Sequence, residues 1–251
     1  MTSINHHTLS DFRIDHKEAL DSLFETTLGL LSAEKLITME RVMHDGTKIK
    51  AFAKGDSFKR GERIEEHLKA AKKQMERSDE VQEKDEINSR QEKARQRVTL
   101  ERKEKLEKAL AELEKLRKRK KSAKEKEEAR VSETDPEARI MKQSNGGFSP
   151  SYNVQISTDA ANDMIVGVGV TQAGTDCDEL IPAVERIEKV IGQIPDQMVV
   201  DKGYTSNANI VEMSKREVDL IGPLAKTVFN STLEKRGGDS GFDFRAFTYD
   251  P

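Results

Sequence analysis

The 251-residue chain contains one cysteine, Cys177, which excludes an intrachain disulfide and any cysteine-based zinc site and suits a reducing compartment. No apolar run approaches the roughly 20 residues needed to cross a bilayer, and the N-terminal MTSINHHTLSDFR has no secretory apolar region. The expectation is a cytoplasmic protein without membrane contact. From about Arg60 to Val131 there is no proline, and after Gly61 no glycine; Glu, Lys, Arg, Gln, Ala and Leu dominate instead, which predicts long helix. No aromatic ladder accompanies the charges there, so stacking on single-stranded nucleic acid is not indicated.

What is present is unevenly spread. Between Lys59 and Arg130 there are 25 Lys or Arg and 18 Asp or Glu, a net of +7; the remainder carries 18 and 28, a net of −10. The overall −3 therefore hides an acidic body with a basic insert, which fits a polyanion partner and equally a solvated helix face. Within the insert, Leu106, Leu110, Leu113 and Leu116 form a stripe at spacings of four, three and three, and Glu101/Lys105, Glu104/Lys108 and Glu114/Lys118 stand at helix-supporting separation. Few apolar residues lie between Ser78 and Arg97. The insert is thus expected to be two helices forming a hairpin, broken near Met75 to Asn88, rather than a long dimeric coiled coil.

Outside the insert the signals are conventional. Ala19, Leu20, Leu23, Phe24, Leu28 and Leu31 recur at helical spacing and predict an amphipathic helix ending near Gly29 to Ser32. LITMERVMHDGTKIKA alternates and predicts a strand of about seven residues ending at Asp45. YNVQISTDA and MIVGVGVTQ, separated by Ala161-Asn162-Asp163, predict a hairpin with Val154, Ile156, Ile165 or Val166, Val168 and Val170 facing apolar surroundings. Asp178 to Ile191 predicts a helix stopped by Gly192, QMVVD a strand, Ser206 the cap of a further helix, and VDLIGP a last strand ending at Pro223.

Removing the insert leaves strand, hairpin, helix, strand, helix, strand. Three antiparallel strands followed by βα units, with the fourth strand parallel beside the first, make an α/β fold of the ribonuclease-H-like kind: a mixed sheet, here interrupted by a long charged helical insertion. A doubly wound nucleotide-binding fold would need βαβ at the outset and a glycine-rich first turn, and has neither here. In the ribonuclease-H-like order the first and fourth strands are neighbours, which brings together Asp45 and Asp201, 156 positions apart in sequence. Two carboxylates held that close repel, and a divalent cation relieves the repulsion. Hard oxygen ligands favour Mg²⁺ or Mn²⁺ over zinc, and a pair of such ions suits phosphodiester chemistry. Judged singly, each acid reads as well as a turn residue or an acid opposing a helix dipole.

HDGTKIKA after a strand, DPEARIMK with GGFSPSYNVQISTDA, and VVDKGYTS together resemble the DDE transposases of bacterial insertion sequences, in the branch whose first strand ends in Asp-Gly-Thr. The resemblance extends from Ile4 to Pro251, and the order of its three motifs is what makes it specific. It implies a ribonuclease-H-like domain that cuts element ends and joins them to target DNA using Mg²⁺ or Mn²⁺. Asp45 and Asp201 match the first two catalytic aspartates and metal ligands. Tyr204 and Gly203, in the DxGY motif, match positions supporting the metal site, and Lys202 completes it. The family's third acid, a glutamate on a later helix, has no counterpart: Glu212 and Glu217 follow Asp201 too closely and Asp250 lies in a tail with no predicted helix. The expectation is a copy truncated at both ends. The implied partners are double-stranded DNA, chromosomal or plasmid, and further copies of the chain.

Other residues weigh less. Adjacent His6 and His7 read as surface or turn residues, and His44 as packing behind the site. Lys48, Lys118, Arg119, Lys120, Arg139, Lys142 and Lys202 are candidates for DNA contact, with the cluster around Lys118 reading equally as a solvated helix end. The expected organisation is a remnant of an N-terminal helical domain at 1–35, the first strand at 36–58, the helical insertion at 59–135, the rest of the catalytic core at 136–228 and a flexible truncated tail at 229–251. The alternatives are a non-catalytic DNA-binding or interaction protein derived from a transposase, and a ribonuclease of the same fold.

Overall fold

A computed structural model describes residues 5–82 and 89–223. In chain order its helices and strands are α1 (His6–Asp15), α2 (Lys17–Ala33), β1 (Arg41–Lys50), β2 (Phe58–Lys59), α3 (Gly61–Gln82), α4 (Ser89–Arg119), α5 (Ala123–Glu127), β3 (Val131–Ser132), β4 (Arg139–Lys142), β5 (Phe148–Asp159), β6 (Met164–Thr171), α6 (Leu180–Ile191), β7 (Gln197–Val200), α7 (Asn207–Lys215) and β8 (Asp219–Ile221). The fold is α/β. Six strands form one mixed sheet in the order β4-β5-β1-β7-β8, with β6 also on β5, and β2 pairs with β3 alone. β1 runs parallel to β7 and β7 parallel to β8, whereas β4 and β5 are antiparallel.

The chain divides into two compact units, residues 1–47, 154–170 and 175–251, and residues 48–153 with 171–174. The units part inside β1 and inside β5.

In the first unit, α6 buries Leu180, Ala183, Val184 and Ile187 along one face. The Leu, Val and Ile side chains each contribute about 1.5–3 kcal/mol relative to exposure. Gly192 ends the helix as expected, left-handed at φ 86°, its N–H donating to the Glu188 carbonyl at 2.8 Å. The helix packs on α2 and α7, and its apolar face joins Leu28, Val42, Met198, Val200 and Met213 in one core. A further helix, α1, occupies most of the INHHTLSDFR stretch, within the segment 1–35 expected to be helical.

β1 departs from expectation at both ends. It begins at Arg41 rather than near Met39, because the buried Asp159 carboxylate draws the preceding backbone into a turn: its Oδ2 accepts the N–H groups of Thr38 and Met39 at 3.0 and 2.8 Å. Met39 is left-handed there, at φ 60°, so this stretch cannot pair as strand. At the other end β1 runs through Asp45 and Gly46 to Lys50 instead of stopping at the acid.

The facing of β5 is also reversed. Gln155, Ser157 and Asp159 are no more than 2 % exposed, while Val154 and Ile156 are only half-buried. The inward row is polar because each of these groups finds hydrogen-bond partners inside, which removes the cost of burying it. On β6, Val168 and Val170 are exposed. Gly167 and Gly169 are the residues that lie against α6, where a Cβ at Gly167 would approach Ile187 to 3.2 Å and one at Gly169 would strike the Arg186 guanidinium.

The second unit bears out two helices packed together. Leu106 and Leu113 are buried and Leu110 and Leu116 half-buried, in a cluster with Ile64, Leu68 and Ala71 of α3. Of the stretch Met75 to Asn88, where the break is expected, α3 continues through Gln82 and residues 83–88 lie outside the described residues. The long helix does not continue to Val131, however. It stops at Arg119, since the chain must return to bury Ala129 and Val131 in the same cluster. Beside that cluster Glu112 accepts from Arg139 at 2.8 Å and from Lys115 at 2.7 Å. No helix among the described residues is long and apolar enough to cross a membrane. Residues 229–251, expected to be a tail, lie outside the described residues.

Candidate active site

Strand register brings the two acids together. In the parallel pairing of β1 with β7, His44 stands opposite Val200, so Asp45 and Asp201 are the next residues along neighbouring strands. His44 and Val200 are buried while both acids are exposed, as the alternation of a strand requires. Asp201 does not cap the following helix: Ser206 does, its Oγ accepting the Asn209 N–H at 3.3 Å. Each acid is instead held by the glycine that follows it. Asp45 Oδ1 accepts the Gly46 N–H at 2.7 Å and Asp201 Oδ1 accepts the Gly203 N–H at 2.6 Å. The Asp201 carbonyl accepts the Tyr204 N–H at 3.2 Å, closing the turn that aims Tyr204 inward.

Directly behind the acids lies a buried polar layer. Gln155, 1 % exposed, accepts the Tyr204 hydroxyl at 2.7 Å through Oε1 and donates from Nε2 to Asp176 Oδ1 at 3.0 Å. His44 Nε2 lies 2.9 Å from the same Oε1, and Nδ1 lies 2.9 Å from Ser157 Oγ. Because Oε1 can only accept, His44 carries its proton on Nε2 and takes the Ser157 hydroxyl hydrogen on Nδ1. The His44 and Tyr204 rings meet edge to face, with centroids 5.0 Å apart. Gly46 sits on this layer without room for a side chain: a Cβ there would lie 2.5 Å from Gln155 Nε2, 2.7 Å from Asp176 Oδ1 and 2.9 Å from the Tyr204 hydroxyl. Asn209 fastens the surrounding backbone, donating at 2.8 Å to the carbonyls of both Cys177 and Tyr204.

The electrostatics follow from this arrangement. Burial holds His44 down to about 4, aided by the Arg186 charge and opposed by the Gln155 hydrogen bond and by Asp45 and Asp176, so the ring is neutral at neutral pH. Burial likewise pushes the Tyr204 hydroxyl well above the ordinary tyrosine value, and the charges of Asp176, Asp45 and Asp201 push it the same way. Tyr204 is therefore a protonated donor throughout the physiological range.

Asp45, Asp201, Gly203 and Tyr204 are thus brought together, with Lys202 exposed in the same turn. Lys48, Lys118, Arg119, Lys120, Arg139 and Lys142 belong to the other compact unit. Lys118, Arg119 and Lys142 are exposed. Arg139 is committed within its own unit: Nη1 donates to the carbonyls of Pro136 and Ala138, and Nη2 to Glu112 and Gln172. Glu212 is paired with Arg216 at 3.1 Å. The sequence reading missed Gln155, Asp176 and Asn209; the period-two polar row from Gln155 to Asp159 was the signal for the first of these. Among the described residues no group of three or more His, Cys, Asp and Glu is arranged to hold a metal ion, and a cavity of about 480 Å³ lies at the opposite end of β1, lined by Thr38, Arg41, Ala160 and Gln197. No protein-family model and no curated protein matches the chain.

Proposed function

We propose that the chain is a metal-dependent DNA-cutting and DNA-joining enzyme of the DDE transposase type, built on a ribonuclease-H-like sheet and acting on double-stranded element ends and target DNA in a bacterial cytoplasm. The parallel register that makes Asp45 and Asp201 next neighbours carries this reading. Two exposed carboxylates on adjacent strands form a hard, all-oxygen donor pair, which fits Mg²⁺ or Mn²⁺, ions commonly bound through one or two carboxylates with water and phosphate oxygens completing the shell. A bound ion of this kind supplies activation of the attacking oxygen and stabilisation of the leaving one. Asp45 and Asp201 would hold the ion; the Gly46 and Gly203 N–H groups orient their carboxylates. Lys202, exposed beside them, offers a cation to a DNA phosphate.

Mn²⁺-dependent nicking of supercoiled plasmid tests the reading. Asp45→Asn and Asp201→Asn should each reduce nicking by about a hundredfold or more, since each removes a ligand charge. Nicking by the variants at the wild-type rate would overturn it. A second reading, a non-catalytic DNA-binding protein, is favoured by the basic last turn of α4, Arg117, Lys118 and Arg119. It requires duplex binding without metal and without nicking, unaffected by Asp201→Asn.

A further inference from the structure

We propose that Gln155 is a positioning residue for the Asp45–Asp201 pair, its amide fixing the buried layer on which the Asp45-Gly46 backbone rests. The inference relies on the reading of those two acids as metal ligands. Three separate segments meet at this one amide: β1 through His44, the turn after β7 through Tyr204, and the segment before α6 through Asp176. Its oxygen takes two donors and its nitrogen reaches a carboxylate, so the amide orientation is determined by chemistry on both sides.

The coupling to the acids is steric and short. Gln155 Nε2, Asp176 Oδ1 and the Tyr204 hydroxyl are the three atoms nearest to where a Gly46 side chain would begin, and Gly46 donates to the Asp45 carboxylate. Asp176 also reaches the second turn, since a Cβ at Gly203 would lie 3.7 Å from Asp176 Cβ and 3.0 Å from Asp201 Oδ1. Were the amide lost, the buried Tyr204 hydroxyl would lose its acceptor and have to move to find another, and the half-buried Asp176 carboxylate would lose the donor that holds it against β5. The floor under Asp45 and the wall beside Asp201 would move with them. Groups that orient metal ligands from behind typically carry about ten- to a hundredfold in metal affinity.

The test is Mn²⁺ titration of the full chain, followed by electron paramagnetic resonance, with circular dichroism and thermal melting alongside. Gln155→Leu should remain folded and bind Mn²⁺ about tenfold or more weakly than wild type. Gln155→Glu keeps the acceptor for Tyr204 and His44 but sets a carboxylate against Asp176, and it too should bind weakly. Pairing it with Asp176→Asn restores that hydrogen bond with donor and acceptor exchanged, and should recover affinity above the Gln155→Glu single variant. A merely structural role would lower the melting temperature without changing Mn²⁺ affinity or allowing this exchange. Wild-type affinity in folded Gln155→Leu, or no recovery in the exchanged pair, overturns the proposal. The Asp45→Asn and Asp201→Asn variants separate the two levels: if they leave Mn²⁺ binding intact, the metal-ligand reading itself fails, and this inference with it.

Discussion

A single methyl group at position 46 is enough to disturb the site. The three polar atoms that a Cβ would meet there, at 2.5, 2.7 and 2.9 Å, are all tied into one hydrogen-bonded layer and cannot retreat independently. Gly46→Ala should destabilise the protein by about 1–3 kcal/mol, the usual cost of overpacking, and weaken Mn²⁺ binding as well. Gly174→Ala is the control, because a Cβ there meets nothing within 4 Å. Urea unfolding of both variants, with and without Mn²⁺, measures the contrast; equal behaviour would mean the layer is softer than its geometry implies. At this scale the sequence singled out the two acids because each follows a strand-like run and has a glycine one or two residues on. Gln155 was not singled out, because a polar residue in an alternating strand reads as facing water until its partners are known; nor was Asp176, which lies in the irregular segment between β6 and α6.

Among elements, the packing of α4 beside β4 depends on one buried ion pair. Arg139 and Glu112 side chains are 13 and 10 % exposed, at 2.8 Å, within a network that includes Lys115 and Gln172. Burial pushes the Glu112 carboxyl up, but hydrogen bonds from Lys115, Arg139 and Gln172 outweigh this and hold it below its ordinary value. A depressed carboxylate stabilises the folded state above its unfolded pKa and loses that contribution as pH falls through the folded value. Glu112→Ala should therefore cost about 3 kcal/mol at neutral pH, leaving a buried guanidinium without its counter-charge. The difference from wild type should shrink in acid, as thermal melts across pH will show. Asp159 plays the comparable part at the start of β1. Alternation alone starts that strand near Met39; a carboxylate 121 positions from Thr38 decided otherwise.

For the molecule as a whole, charge is the property that sequence and structure share most directly. The net +7 between Lys59 and Arg130 falls in one compact unit, and Asp45 and Asp201 in the other. Affinity for duplex DNA should fall linearly with salt on logarithmic axes, with a slope of about 0.9 per phosphate contact. Replacing Lys118, Arg119 and Lys120 with Gln should reduce that slope by up to about 3 if all three meet phosphates. Fluorescence anisotropy over a salt series measures it, and an unchanged slope would assign the cluster to solvation of the helix end.

The sequence by itself determined the types of the elements with strong periodicity, the α3–α4 pairing, the end of α6 at Gly192 and the Ser206 cap, because each follows from local periodicity or capping chemistry. Tertiary structure decided what depends on residues far apart in the chain: where β1 begins, which face of β5 is buried, where α4 stops, and which side chains support the acids. The physical reason is the same in each case. A buried carboxylate or amide takes its conformation from partners that only the folded chain supplies, and those partners lie beyond any window of sequence.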